Sequence, residues 1–312
     1  MKYIIIALSI ILIMIAPFFG QIPLSLETLL NSNSMQHQIF FEIRLPRLLL
    51  AFFVGGVLAL SGLIFQTIFK NPMSTPFTLG VASGATLFTA IGIVLGYTAY
   101  LSLFAFLGAL MTIFLLFVIA SRLQSSQTSS LLLVGIALSF FYSASLMVLF
   151  YISNLEQSYE IVMFTMGSLD IVGFENIYLI MIASAVLLFL SYFYQYEIKL
   201  LLTSNQLAHL KGINVKRVNY ILLIGVSIAV GVAVSLTGPI GFVGLVIPHI
   251  IKFVTQKSAD KILYSTFFYG GVFLVASDLI ARNLSTASDV PIGVVTSFVG
   301  APFFIYLIIK RR

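Results

Sequence analysis

The chain has no cysteine and no tryptophan, and only 8% of its 312 residues are Asp, Glu, Lys or Arg. Without cysteine there is no disulfide framework, no thiolate zinc site and no thiol nucleophile. Without tryptophan, interfacial anchoring falls to the 14 tyrosines. The shortage of charge excludes most. A soluble domain carries about 25% charged residues, because water must cover its surface. A chain far below that, 60% hydrophobic and with a mean hydropathy of +1.11, has lipid as its solvent. In lipid every backbone N–H and C=O needs an internal partner, which leaves helices or a closed barrel. Barrel strands alternate apolar and polar residues, whereas runs such as 3–19 and 101–120 are continuous. The sequence reads as an all-α membrane protein.

Other absences narrow the chemistry. No G-x4-G-K-[ST] loop is present to cradle a nucleotide. There is no H-E-x-x-H and no G-x-S-x-G, and His37, His209 and His249 are scattered over different segments. An ion-coupled carrier or proton pump keeps an ionisable residue at the membrane midplane, and carboxylates are nearly absent from the span interiors here. A stand-alone secondary carrier and an intramembrane enzyme both lose support. No catalytic residue, metal ligand or cofactor is expected. The formal net charge of +6 does not point to nucleic acid, because the basic residues sit at the ends of apolar runs and serve orientation better.

Ten runs are long enough for a ~30 Å hydrocarbon core, at about 3–19, 48–69, 77–96, 99–120, 131–152, 176–196, 218–237, 239–255, 262–281 and 292–309. The first is too long for a signal-peptide core and ends Ala16-Pro17-Phe18-Phe19-Gly20 without a cleavage site, so it reads as a retained helix. An even count puts both termini on one side. With them inside, 13 of the 16 basic residues are cytoplasmic and only Arg44, Arg47 and Arg282 lie outside, as the positive-inside rule requires. Asp278 and Arg282, four apart, can pair on one helix face. Gly80 and Gly84 form a G-x3-G face for close helix approach. His249 after Pro248 reads as a structural hydrogen-bonding residue or as a pathway lining. Val54-Gly55…Leu60-Ser61-Gly62 and Val230-Gly231…Leu236-Thr237-Gly238 share V-G-x4-L-[ST]-G on oppositely directed spans, the pattern of an inverted repeat or a coincidence.

Four stretches carry a resemblance. The first is Arg44-Leu45-Pro46-Arg47 through Gly55, Ser61-Gly62 and Gln66 to Asn71-Pro72-Met73-Ser74-Thr75-Pro76 and Leu79-Gly80-Val81-Ala82-Ser83-Gly84. The second is Leu131 to Leu138, followed by Met166-Gly167-Ser168-Leu169. The third is Gly238-Pro239-Ile240-Gly241-Phe242-Val243-Gly244 to Pro248-His249. The fourth is Asp278-Leu279-Ile280-Ala281-Arg282, Pro291-Ile292-Gly293 and Gly300-Ala301-Pro302. In order and together they resemble the iron-siderophore and vitamin B12 type of ABC importer permease, the FecCD family.

The resemblance implies a single transmembrane permease domain over residues 1–312, with about ten transmembrane helices and both termini cytoplasmic. It implies a second permease subunit, identical or paralogous, two ATP-binding subunits and a substrate-binding protein, all working in the bacterial inner membrane. The cargo it suggests is a ferric siderophore, with heme and cobalamin as competitors. By the same resemblance Arg44, Arg47 and Arg282 receive glutamates of the binding protein. Asn71, Met73, Thr128 and Ser129 close the cytoplasmic exit. Ser204, Leu207, Leu210 and Gly212, in a loop at about 197–217, seat the ATPase.

Overall fold

The computed structural model describes residues 2–20, 34–122, 128–255, 259–284 and 289–310, and among them there are helices and no strand. The apolar runs become α1 (Lys2–Ile15), α2 (Met35–Phe69), α3 (Val81–Val94), α4 (Leu101–Arg122), α5 (Thr128–Ile152), α7 (Glu175–Phe193), α10 (Val215–Thr237), α11 (Val243–Thr255), α12 (Ala259–Leu284) and α13 (Ile292–Lys310). Of these, α2, α4, α5, α7, α10 and α12 are long and apolar enough to cross a membrane, and α1, α3, α11 and α13 are shorter apolar helices. Between them lie three short helices, α6 (Leu155–Met166), α8 (Gln195–Thr203) and α9 (Asn205–Leu210).

Helix α2 is the axis of the bundle. It packs against α7, α10, α11 and α12, and small residues make this possible. A Cβ on Gly62 would meet the Gly244 carbonyl oxygen of α11, and one on Gly55 would meet that of Gly270 on α12. With no hydrophobic drive between helices in lipid, such close backbone contact is what holds them. The buried threonine hydroxyls of three helices are satisfied locally: Thr67 donates to Leu63 O (2.7 Å), Thr89 to Ala85 O (2.9 Å) and Thr112 to Gly108 O (2.8 Å). These bonds settle polar groups that lipid could not solvate.

Several expectations need correction. Helix α2 begins at Met35 rather than near 48, because Ser34 caps it, accepting from His37 N at 3.1 Å, and the chain runs through a π-helical stretch at Ile39–Arg44. Gly80 is not part of a helical G-x3-G face. It is the N-cap of α3 at φ +84, set against Gly135 and Ser139 of α5, whereas Gly84 packs against Gly108 and Thr112 of α4. The eighth span starts as helix only at Val243, since Phe242 holds φ +65 and Gly238 φ +68. Gly62 lies inside a helix whereas Gly238 ends one, so the last glycines of the two V-G-x4-L-[ST]-G copies do different work. Helix α6 falls between the expected spans at 131–152 and 176–196, where the sequence reading assigns no element.

Candidate functional site

Three features stand out: an ionic knot at one end of the bundle, an apolar groove below it, and a polar helical hairpin at the other end. The knot gathers the three arginines that break the charge rule. Arg47, which follows Pro46 in α2, donates from Nε to Asp278 Oδ1 at 2.8 Å. Its Nη1 donates to Asp170 Oδ1 at 2.7 Å and to Asp289 Oδ2 at 2.6 Å. Arg282 Nε lies 3.0 Å from Asp278 Oδ2, near enough for charge attraction but not aligned as a hydrogen bond. Its Nη1 and Nη2 donate to Phe19 O and Ala16 O, at 3.3 and 3.5 Å. Arg44 Nη1 donates to Pro17 O and Phe18 O, at 3.1 and 3.2 Å.

These contacts join the end of α1, the start of α2, the segment after α6, the end of α12 and the approach to α13. The alternating topology assigned every one of those places to the outer side. The arginines are thus found where the charge rule put them, but not as open forks. Arg44, Arg47 and Arg282 are each 6–8% exposed, and in the isolated chain their donors already serve the chain's own aspartates and carbonyls. The expected Asp278–Arg282 pair is present.

The groove, of about 630 Å³, is lined by Thr165 and Met166 of α6, by Gly293, Ser297 and Phe298 of α13, and by Phe77, Pro239 and Gly241 among others. No ionisable side chain is among its lining residues. Gly293 fits because a Cβ there would meet Met166 O, so α6 and α13 approach backbone to backbone at one end of the groove. The bond from Ile292 N to Gly167 O (3.2 Å) fastens that end. Sequence reasoning missed α6, although its capping box was legible: Asn154 Oδ1 accepts from Gln157 N at 2.8 Å and Gln157 Oε1 accepts from Asn154 N at 3.1 Å.

At the opposite end, α8 and α9 form the hairpin. Ser204 caps α9, accepting from Gln206 N at 3.2 Å. Leu207 and Leu210 are 44% and 83% exposed, and Gly212 turns at φ +80 with open space around it. Lys70, the left-handed C-cap of α2, donates to Leu201 O of α8. Met73 is exposed, and its N–H donates to Asn71 Oδ1 at 2.9 Å. Thr128 and Ser129 open α5, but their side chains lie outside the described residues. The structure therefore holds Ser204, Leu207, Leu210 and Gly212, expected to seat the ATPase, in and just after one short helix, and does not show the four residues expected at the inner exit as one cluster. His249 Nδ1 is 2.7 Å from Leu245 O, and its ring packs edge-on against Phe304, a structural bond within α11. Among the described residues no group of His, Asp and Glu could hold a metal ion.

A profile of the FecCD transport family matches residues 7–310. The chain belongs to that family. It is 35% identical over 305 residues to the hemin transport system permease protein HmuU of Yersinia pestis, covering 94% of this chain and 90% of that one. It is 35% identical over 274 residues to an iron chelatin transport system permease protein of Helicobacter pylori, covering 88% and 83%. Further relatives are permeases named for molybdate and vitamin B12. A solved metal-chelate type ABC transporter in an inward-facing conformation matches with a TM-score of 0.88 at 29% identity, over 99% of this chain and 98% of that one. This FecCD chain is a permease of an ABC importer, a multi-pass protein of the bacterial cytoplasmic membrane.

Proposed function

We propose that this permease carries an iron chelate, a ferric siderophore, inward along a pathway of which the apolar groove forms one half. The observation that carries the reading is the groove itself, of about 630 Å³, free of ionisable side chains and lined by Phe77 and Phe298. A wall of this kind holds a bulky organic complex without trapping it. Hemin and vitamin B12, the cargoes in relatives' names, have the same character and are the alternatives. The other half of the pathway comes from a second permease subunit seated against α5, whose exposed Phe140, Phe141 and Met147 have no cover within the chain.

ATP is hydrolysed in two partner subunits that seat on Leu207 and Leu210 of α9, with Gly212 turning the chain back. Asn71, Met73, Thr128 and Ser129 form the inner exit. A binding protein docks at the outer end, and its glutamates reach Arg47 only by displacing Asp170, the most exposed of that arginine's partners. Uptake into proteoliposomes holding this permease, its ATPase and its binding protein tests the reading. ATP-dependent accumulation of a ferric siderophore, with hemin and cobalamin left outside, is the expected result. Accumulation of hemin or cobalamin instead overturns the cargo, and uptake without the ATPase overturns the mechanism.

A further inference from the structure

The knot has two tiers that differ in their access to water. Asp278 is 2% exposed, and its bonds to Arg47 Nε and Arg282 hold α2 to α12 deep in the bundle. The other tier is a single nitrogen. The two N–H bonds of Arg47 Nη1 go one to Asp170, 68% exposed, and one to Asp289, 29% exposed. Asp170 is aimed there by Ser168, whose Oγ donates to Asp170 Oδ2 at 2.6 Å and accepts from Asp170 N at 2.9 Å. Water and salt compete for ion pairs so exposed, which makes this tier the weak one.

The position of the weak tier matters more than its strength. Asp170 lies four residues beyond α6, and Asp289 three residues before α13. These helices are the two groove walls that meet where Gly293 lies against Met166 O. Between α6 and Asp170 the chain passes Gly167 at φ +73, a conformation that favours glycine, so the helix ends there and the segment carrying Asp170 is not a rigid extension of it. Apart from the bond between Ile292 N and Gly167 O, the shared arginine is the fastening shown between the two segments.

We propose that Arg47, Asp170 and Asp289 are a releasable latch that shuts the outer end of the groove, while Asp278 keeps Arg47 anchored in both states. Letting go of Nη1 frees the α6 and α13 ends to part and admits cargo. The proposal rests on the permease reading, and its test separates the two.

The absence of native cysteine makes the test clean. In the reconstituted transporter, Asp170→Cys with Asp289→Cys is joined by a short thiol cross-linker. Uptake is lost when joined and returns on cleavage of the linker. Equal uptake in both forms overturns the latch, whereas a parent transporter that takes up no ferric siderophore overturns the cargo reading and leaves the latch to the second measurement. A second measurement does not need transport. Ser297→Cys in the groove is labelled from outside by a membrane-impermeant maleimide, slowly in the parent and faster when Asp170→Asn or Asp289→Asn is added. Labelling that stays at the parent rate in both variants overturns the latch.

Discussion

Helices α2 and α5 are both long enough to cross a membrane and similar in apolar character, and the fold uses them in opposite ways. In α2, 83% of the most apolar stretch is buried within the chain, against 11% in α5. The difference lies in small residues. Helix α2 carries Gly55, Gly56 and Gly62 where α11 and α12 cross it, whereas α5 has only Gly135 and presents Phe140, Phe141, Met147 and Tyr151 outward. Hydropathy says that a helix is in the membrane, and the glycines say which helix others can approach. Substitutions on α2 and its partners should therefore be costly, and those on the outer face of α5 should not.

The largest effect is expected where α2 meets α12 through charge. Asp278→Ala leaves Arg47 and Arg282 without their buried counter-ion, and removing one partner of a buried pair costs about 3–5 kcal/mol. Unfolding in detergent micelles measures it. A loss below about 1 kcal/mol, the range of exposed pairs, would show that water reaches the knot.

Next comes the backbone contact of α2 with α11. Even Gly62→Ala adds a methyl that would sit 1.9 Å from Gly244 O, and backbone cannot rotate away as a side chain does. Overpacking of this kind costs about 1–3 kcal/mol, whereas the Cβ of Gly135→Ala in α5 would sit 2.7 Å from the Leu79 side chain and 2.8 Å from its Cα, a milder overlap than at Gly62, and should cost less. Equal costs at the two glycines would erase the contrast between the helices.

How far the sequence reveals this contrast depends on the distance over which the residues act. The ten apolar runs, the outward placement of three arginines and the local Asp278–Arg282 pair are legible, because each is set by composition or by spacing along one helix. The bonds from Arg47 to Asp170, Asp278 and Asp289 span 123, 231 and 242 residues, and nothing in a single sequence joins them. Treating the arginines as open forks followed from that blindness. Phe242 at φ +65 is hidden for a related reason: a bulky residue is rarely left-handed, and only packing around it can hold it so. Helix α6 was overlooked because Glu156 and Glu160 disqualify it as a span, although Asn154 and Gln157 announce its start.

That start supplies a third prediction. Asn154→Ala removes the cap of α6 and should cost about 1 kcal/mol, because one of the reciprocal bonds to Gln157 disappears and a backbone N–H of the first turn loses its acceptor. Gln157 also donates from Nε2 to Val94 O at the end of α3, at 3.3 Å. Gln157→Ala should therefore cost at least as much as Asn154→Ala. A smaller cost at Gln157 would mean that water replaces both of its bonds.

The smallest effect on the fold is expected on α5, and it decides what that helix is for. Phe140 and Phe141 are 72% and 64% exposed, so truncating them creates no cavity inside the chain. Exposed substitutions of this kind stay within about 0.5 kcal/mol. Phe140→Ala with Phe141→Ala should leave the unfolding of the solubilised single chain unchanged. If a second permease covers this face, the same variant gives up large aromatic contacts between subunits, the residues that dominate most interfaces. Cross-linking yield between copies in the membrane should then fall while expression and insertion hold. Should the single chain itself lose more than about 1 kcal/mol, beyond the range of a surface site, α5 packs within its own bundle and the contrast with α2 fails. Unchanged stability together with unchanged cross-linking would assign the face to lipid rather than to a partner.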